Sequence, residues 1–455
     1  MWMGALLLTA AVVLGATGSA GATGADDVSV PRKVLVVMAP SLTWDRTKAQ
    51  LPTLWSFASR GAVASMSTRT AGERSDPAAG YLTVGAGRRA GSIDPATAGA
   101  ATETLTPDGG SVVVAPNFAS QVAANEDLRY GAVPGALGEA LAGAGRMAVP
   151  VGNAGRAITD VDHRSVALSA VGRDGTAPGG AVGDDLLVSD PASPFGVRLD
   201  VERVVAQTTR ALAGADVVVL ELSDLQRADD AAAGDPASAA GWWADAATHS
   251  DELLAGVLRL VDPARDLVIV ASPTPPSDRA ALGVFAAQGP GVPRGSARSA
   301  TTRRTGFVTL VDLAPTVLAR LGIEVPDTIG NTPVSFEATP SPADQRLDAA
   351  IDVDVEARAR DAATGPITVA MVLLVTAIAF AAMWVRHRGG RSGTAVRTLA
   401  LATMAFPVAA FLTGVWPGAS VGTWAVLAVV LVIAGLIAGL GMWAARSGDQ
   451  RGPLT

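Results

Sequence analysis

Apolar residues in this chain fall into three patterns, and each predicts a different kind of element. Short unbroken runs rich in β-branched residues occur at 33–39 (KVLVVMA), 216–222 (DVVVLEL) and 266–272 (DLVIVAS). Runs of this length without alternation belong to strands buried on both faces, and 146–151 predicts a further strand. Between these runs the spacing becomes helical. Leu54, Phe57 and Ala58 put one apolar side on a helix over 52–60, with Gly61 where it stops. Leu253, Leu254, Val257, Leu258 and Val261 do the same over 251–261, and 310–321 predicts a third helix. Strands alternating with helices predict an α/β domain: a mostly parallel sheet with helices on both faces. Ligands of such sheets bind beyond the carboxyl ends of the strands. A site is therefore expected in the segments after Ala39, Leu222 and Ser272.

The third pattern is longer. Residues 366–385, 398–416 and 422–445 are apolar runs without a charged residue, each near the roughly 20 residues that cross a hydrocarbon core. They predict three C-terminal transmembrane helices. The linker after the first carries Arg386, His387, Arg388, Arg391 and Arg397, whereas the linker after the second is uncharged. Positive residues favour the cytoplasmic side. The C-terminus is thus expected in the cytoplasm and everything before 366 outside it. At the other end, 6–14 is apolar and is followed by small residues and then Asp26 and Asp27. Residues 1–22 are read as a signal peptide, although no Lys or Arg precedes the apolar run. The expected organisation is an extracytoplasmic domain over 31–334, a polar tether over 335–364, and the three spans. Residues 155–200, rich in Gly, Asp and Pro, read as an insertion. None of the spans holds an ionisable residue, which favours anchoring over transport.

Composition agrees with this picture. Hydrophobic residues make up 49% of the chain and charged residues 17%, with mean hydropathy +0.34. A net charge of −7 and the lack of a basic stripe exclude nucleic acid as an expected partner. The chain has no cysteine. Disulfides, thiolate-bound zinc and a thiol nucleophile are therefore excluded.

Several strings carry a resemblance. Pro52-Thr53-Leu54-Trp55 through Arg60-Gly61-Ala62-Val63, and Thr309-Leu310-Val311-Asp312-Leu313-Ala314-Pro315-Thr316 through Leu321-Gly322-Ile323, resemble segments of the alkaline phosphatase superfamily, which includes sulfatases and phosphodiesterases. The resemblance spans roughly 33–334 with a weak middle, and it implies an alkaline-phosphatase-like fold. It also implies an ester held against divalent metals, usually two, by Asp and His ligands, with a Ser or Thr nucleophile. Here the matching positions depart from the pattern. Ala39-Pro40 follows the first strand, Pro273-Thr274-Pro275 replaces Asp-His-Gly, and Ala228 stands where a His is expected after Asp224. The domain's histidines, His163 and His249, match no motif position.

The residues left to carry chemistry are few. Ser75 occupies the nucleophile position, with a helix-cap or turn role as the structural alternative. Arg69, Arg74, Arg88 and Arg89 lie close in sequence and can form an anion-binding face. Asp224, with Glu221, Asp229 and Asp230, forms an acidic group after a buried strand, able to hold one divalent ion or to stand as a solvated loop. The expectation is a catalytically degenerate phosphatase/sulfatase-like domain without a cofactor, anchored in the membrane as a binding or assembly module of the cell envelope. Its expected partners are the membrane and an envelope ligand or membrane protein. The alternatives are an active metal-dependent hydrolase or transferase, with one divalent ion on Asp224, and a docking subunit of a larger membrane complex.

Overall fold

A computed structural model describes residues 30–73, 75–94, 96–107, 110–330, 332–388, 393–413 and 423–449. The predicted signal segment 1–22 and Arg74 lie outside them. In chain order the first half comprises β1 (Val34–Met38), α1 (Trp44–Gln50), α2 (Pro52–Arg60), β2 (Ala62–Ser67), α3 (Pro77–Ala86), β3 (Thr102–Leu105), β4 (Ser111–Val114), α4 (Phe118–Glu126), α5 (Ala136–Gly143), β5 (Ala148–Val151), β6 (Thr176–Ala177), β7 (Leu187–Ser189), β8 (Val197–Leu199) and α6 (Val201–Gly214). It continues with β9 (Val217–Glu221), α7 (Ser223–Ala232), α8 (Ala239–Leu258), β10 (Leu267–Ala271), β11 (Gly283–Gln288), β12 (Gly295–Arg298), β13 (Phe307–Thr309), α9 (Leu313–Arg320), β14 (Ser335–Ala338), α10 (Ala343–Arg388), α11 (Gly393–Thr413) and α12 (Thr423–Asp449).

Nine strands form one sheet in the order β14-β12-β13-β2-β11-β10-β1-β9-β5. β1 pairs in parallel with both β10 and β9, and β9 in parallel with β5. β11 runs against both its neighbours, and β14 against β12. The central strands are buried on both faces because successive side chains point to opposite sides. Val34, Val36 and Met38 pack with Tyr81, Leu82, Leu137 and Leu313 on one face. Leu35 and Val37 pack with Trp44, Leu54, Val204 and Leu254 on the other. The result is the three-layer α/β domain that the apolar runs predict. The 155–200 insertion contributes two short strands paired with each other (β7, β8) and one added to the β3–β4 hairpin (β6).

Two expectations need correction. Residues 335–364 are not a loose tether. Strand β14 extends the sheet, and the first third of α10 packs on it. Leu347 and Ala350 are buried in the second core face, Ser65 Oγ donates to Ala350 O at 2.6 Å, and Leu282 N–H donates to Asp354 at 2.6 Å. The segment looked polar because only Leu347, Ala350 and Ile351 form its apolar stripe. The second correction concerns the spans. Among the described residues one helix, α10, is long and apolar enough to cross a membrane. Helices α11 and α12 carry shorter apolar stretches, Ala400–Phe411 and Trp424–Leu440. Part of the second expected span, and the turn after it, lies at 414–422, outside the described residues. The three helices pack through Ile367, Ala370, Phe406, Ala409, Val430 and Ala434, while Leu373, Phe380, Met404, Phe411 and Leu436 face outward.

Candidate functional site

The carboxyl ends of β1, β9 and β10 are in register, with Met38 opposite both Glu221 and Ala271. Backbone bonds continue past the strands. Ala39 N–H donates to Ala271 O at 2.8 Å, Leu222 N–H to Met38 O at 2.9 Å and Ser41 N–H to Thr274 O at 3.1 Å. Helix α3 crosses these ends closely, and Gly80 permits the approach: a Cβ there would sit 2.5 Å from Pro273 O. The topology thus gathers the segments holding Ala39, Ser75, Asp224 and Pro273 at one end of one sheet, where a ligand of an α/β sheet is expected.

What those positions hold is inert. Ala39 is fully buried and its side chain has no atom that can bind a metal, and those of Pro40 and Pro273 likewise offer none. Asp224 does not face an open site. Its Oδ1 accepts from the Arg227 guanidinium at 2.5 Å and from Leu199 N–H at 3.1 Å. Arg227, itself fully buried, also donates to the carbonyls of Asn153 (2.6 Å) and Gly155 (3.2 Å). The expected metal position is therefore a buried ion pair that ties α7 to the insertion. Ser75 is occupied too. Its hydroxyl donates to Thr68 O at 2.9 Å and accepts from Thr70 N–H at 3.2 Å, bracing the turn before α3. The cap of α3 is Asp76, which accepts from Ala79 N–H at 2.9 Å and from Ser92 Oγ at 2.8 Å. A carboxylate already on the helix N-terminus leaves that end unsuited to an incoming anion.

Among the described residues, Arg69 stands apart from Arg88 and Arg89. Arg69 stands exposed on the rim of a cleft described below. Arg88 and Arg89 follow the far end of α3, some ten residues or about 15 Å along the helix. Arg88 donates to the carbonyls of Asp327 and Thr328, and Arg89 lies 5.8 Å from the Tyr130 ring. Among the described residues no group of three or more His, Asp or Glu side chains is placed to hold a metal. The residues present therefore do not fit the paired divalent metals that the resemblance implies.

Two neighbouring cavities with shared lining residues lie at this end of the sheet. The outer is an open cleft of about 890 Å³ that touches Ser75, Asp229, Thr274 and Arg279, and is walled on one side by Arg358 and Asp361 of α10. The inner, about 350 Å³, reaches Glu221, His163 and Arg156, and shares Pro77, Gln226 and Asp230 with the outer. Among the described residues six carboxylates line the cleft, Glu73, Asp76, Asp229, Asp230, Asp278 and Asp361, against the guanidiniums of Arg69, Arg279 and Arg358. Burial pushes the carboxyl of Asp229 above its ordinary value, only partly offset by Ser277 N–H at 3.1 Å. Burial likewise raises Glu221, which accepts from Ser223 Oγ. In the inner cavity His163 Nδ1 meets Asp160 at 2.7 Å. His249 lies inside α8, away from both cavities.

Sequence spacing exposed part of this arrangement. Glu221, Asp229 and Asp230 stood out as an acidic group after β9. Gln226, Thr274 and Arg279 did not, because only the fold brings their loops together.

No protein-family model and no curated protein matches this chain. Among solved structures, the alkaline phosphatase from the Antarctic bacterium TAB5 is 12% identical, covers 66% of this chain and all of its own, and has a TM-score of 0.39. The lipoteichoic acid synthase LtaP from Listeria monocytogenes is 10% identical, with coverage of 71% and 90% and a TM-score of 0.41. The PH0037 protein from Pyrococcus horikoshii is 13% identical, with coverage of 66% and 99% and a TM-score of 0.40. Likeness of this size leaves the chemistry of this chain open.

Proposed function

We propose that this chain is a membrane-anchored extracytoplasmic module that binds a ligand at the carboxyl end of its sheet and does not catalyse metal-dependent ester hydrolysis. One observation carries the reading. Ala39, Pro40 and Pro273 carry no side-chain atom that can bind a metal, and Asp224 is committed to Arg227 and Ser75 to Thr68. The site is therefore filled with structural bonds, while the cleft beside it stays open. Anchoring is supported by the continuity of α10 from the sheet into an apolar stretch, and by large apolar side chains facing outward on all three terminal helices.

The test uses the full chain in detergent, assayed with nitrophenyl phosphate, bis-nitrophenyl phosphate and nitrophenyl sulfate in the presence of zinc, manganese or calcium. No turnover above the empty-membrane control is expected. Turnover abolished by Ser75→Ala would overturn the reading. Topology is checked in the same preparation. The chain has no cysteine, so single substitutions report directly. A thiol at the exposed position of Ser56 is expected to react with an impermeant maleimide on intact cells, and one at Ser392 is not.

A further inference from the structure

We propose that the cleft takes an organic cation rich in N–H and O–H donors, an ammonium-bearing polar head, rather than a phosphate or sulfate ester. This rests on the binding role proposed above and names the chemistry of its ligand.

Charge is the first ground. Among the described residues the cleft is lined by twice as many carboxylates as guanidiniums. Two of its three guanidiniums are closed on carboxylates that do not line the cleft, Arg279 on Asp45 at 3.0 Å and Arg358 on Asp354 at 3.1 Å, and two of its carboxylates on guanidiniums that do not, Asp278 on Arg46 at 3.5 Å and Asp230 on Arg156 at 3.1 Å, which leaves Glu73, Asp76, Asp229 and Asp361 against Arg69. An ester dianion entering here meets a field of its own sign, whereas an ammonium group is drawn in.

The second ground is independent of charge. Gln226 is only 5% exposed and lies in the wall between the two cavities. Its Nε2 donates to Asp230 Oδ1 at 2.8 Å. A carboxylate only accepts, so the amide orientation is fixed and Oε1 is the atom left over. That Oε1 is buried and has no partner. Thr274 Oγ1, on a residue 2% exposed in the cleft lining, is also without one. Buried acceptors are almost always paired in native proteins. The Thr274 hydroxyl can donate or accept, and the unpaired donors of the same lining, Arg279 Nε and Arg358 Nε, belong to guanidiniums already closed on carboxylates; Gln226 Oε1 is therefore the atom that calls for a ligand's donor, which a fully ionised ester does not have.

Position supplies the third ground. The wall formed by Arg358 and Asp361 belongs to α10, and Pro366, where its apolar run begins, is five residues on. At 1.5 Å per residue this is about 8 Å. The cleft therefore opens at the level of the lipid headgroups if α10 spans. The cation can come from the headgroup of an amphiphile or from a soluble amine, and the experiment separates the two.

The experiment titrates triglucosamine, a soluble amine-bearing sugar, into the full chain in phosphatidylcholine nanodiscs by calorimetry. Inorganic phosphate and tetramethylammonium, which bears charge without donors, are run as controls. Saturable one-to-one binding of triglucosamine is expected, weakened by salt, with phosphate not binding and tetramethylammonium binding more weakly. Gln226→Leu is expected to weaken it by about tenfold. Asp229 also holds Ser277, so Asp229→Asn can disturb the fold. The exposed pair Glu73→Gln with Asp361→Asn avoids this and is expected to weaken binding about three- to tenfold. In nanodiscs containing phosphatidylethanolamine, the apparent affinity for triglucosamine drops if a lipid headgroup competes for the cleft and is unchanged if the natural ligand is soluble. No saturable amine binding in phosphatidylcholine, tighter binding of phosphate, or binding that none of these variants weakens overturns the proposal. Ester turnover would refute the non-catalytic reading instead, so the two failures are distinguishable.

Discussion

Removing the carboxylate of Asp224 separates a metal ligand from a structural ion pair. Asp224 and Arg227 sit one turn apart on α7, both nearly without solvent exposure. In Asp224→Ala the guanidinium keeps only the carbonyls of Asn153 and Gly155, with no carboxylate bonded to it, and Leu199 N–H loses its acceptor. Breaking a buried pair by removing one partner costs about 3–5 kcal/mol. At some 2–4 °C per kcal/mol for a large domain, the melting temperature should fall by about 10 °C. Thermal unfolding of the full chain in detergent, followed by tryptophan fluorescence at one scan rate, measures it. The double variant Asp224→Leu with Arg227→Met removes both charges and should recover most of the loss, because a well-packed apolar pair often replaces a buried ion pair without penalty. A drop below about 2 °C in the single variant, or stoichiometric metal in the wild type that disappears with Asp224, would refute the reasoning.

Three further outcomes follow from the same end of the sheet. Ser75→Ala removes one bond to Thr68 O and one acceptor for Thr70, so it should cost about 1 kcal/mol in denaturant unfolding. Gly80→Ala places a methyl 2.5 Å from Pro273 O; it should destabilise by about 1–3 kcal/mol by forcing α3 off the strand ends, and a neutral result would show that this contact is loose. Glu221 gives a pH dependence. Burial holds its carboxyl above the ordinary 4.5, so the folded chain keeps this proton after the unfolded chain has lost it. Stability contributed by this group is complete below pH 4.5 and is lost as pH rises through the folded value. Glu221→Gln keeps an acceptor for Ser223 Oγ and cannot ionise. The difference in melting temperature, variant minus wild type, should therefore grow in the variant's favour as pH rises from 4.5 toward neutrality, and a flat difference would rule out this origin.

How far the sequence can be read depends on whether a residue's meaning is fixed by its neighbours in the chain or by its neighbours in space. Strands β1, β9 and β10 were legible because their apolar runs leave no polar face for any other placement. Strand β11 (GVFAAQ) was not, being built partly of small residues and running against its neighbours. Helix α8 was seen only in its last half, since Trp242, Trp243 and His249 precede the regular stripe, so His249 falls mid-helix rather than at its start. The first part of helix α10, up to 364, reads as a tether because three apolar contacts hold a largely polar segment.

Carboxylates are the extreme case. Asp224 and Asp229 lie on one helix, five residues apart, and read alike in the sequence as an acidic group after a buried strand. Five residues on a helix of 3.6 per turn turn a side chain through some 140°, and that rotation separates their fates. Asp224 is carried to Arg227 and the Leu199 backbone, where it neutralises a charge that could not otherwise be buried. Asp229 is carried to the cleft, where Ser277 N–H satisfies it only in part and burial resists its ionisation. The partner of the first, Arg227, stands three residues along the same helix, so a lock between them was available from spacing alone. The surroundings of the second come from α3, α7 and the loop after β10, which only the fold assembles. The residues at the strand ends can be read one by one from the sequence, but the cleft beside them, walled by α7, α10 and the loop after β10, is a property of the folded chain.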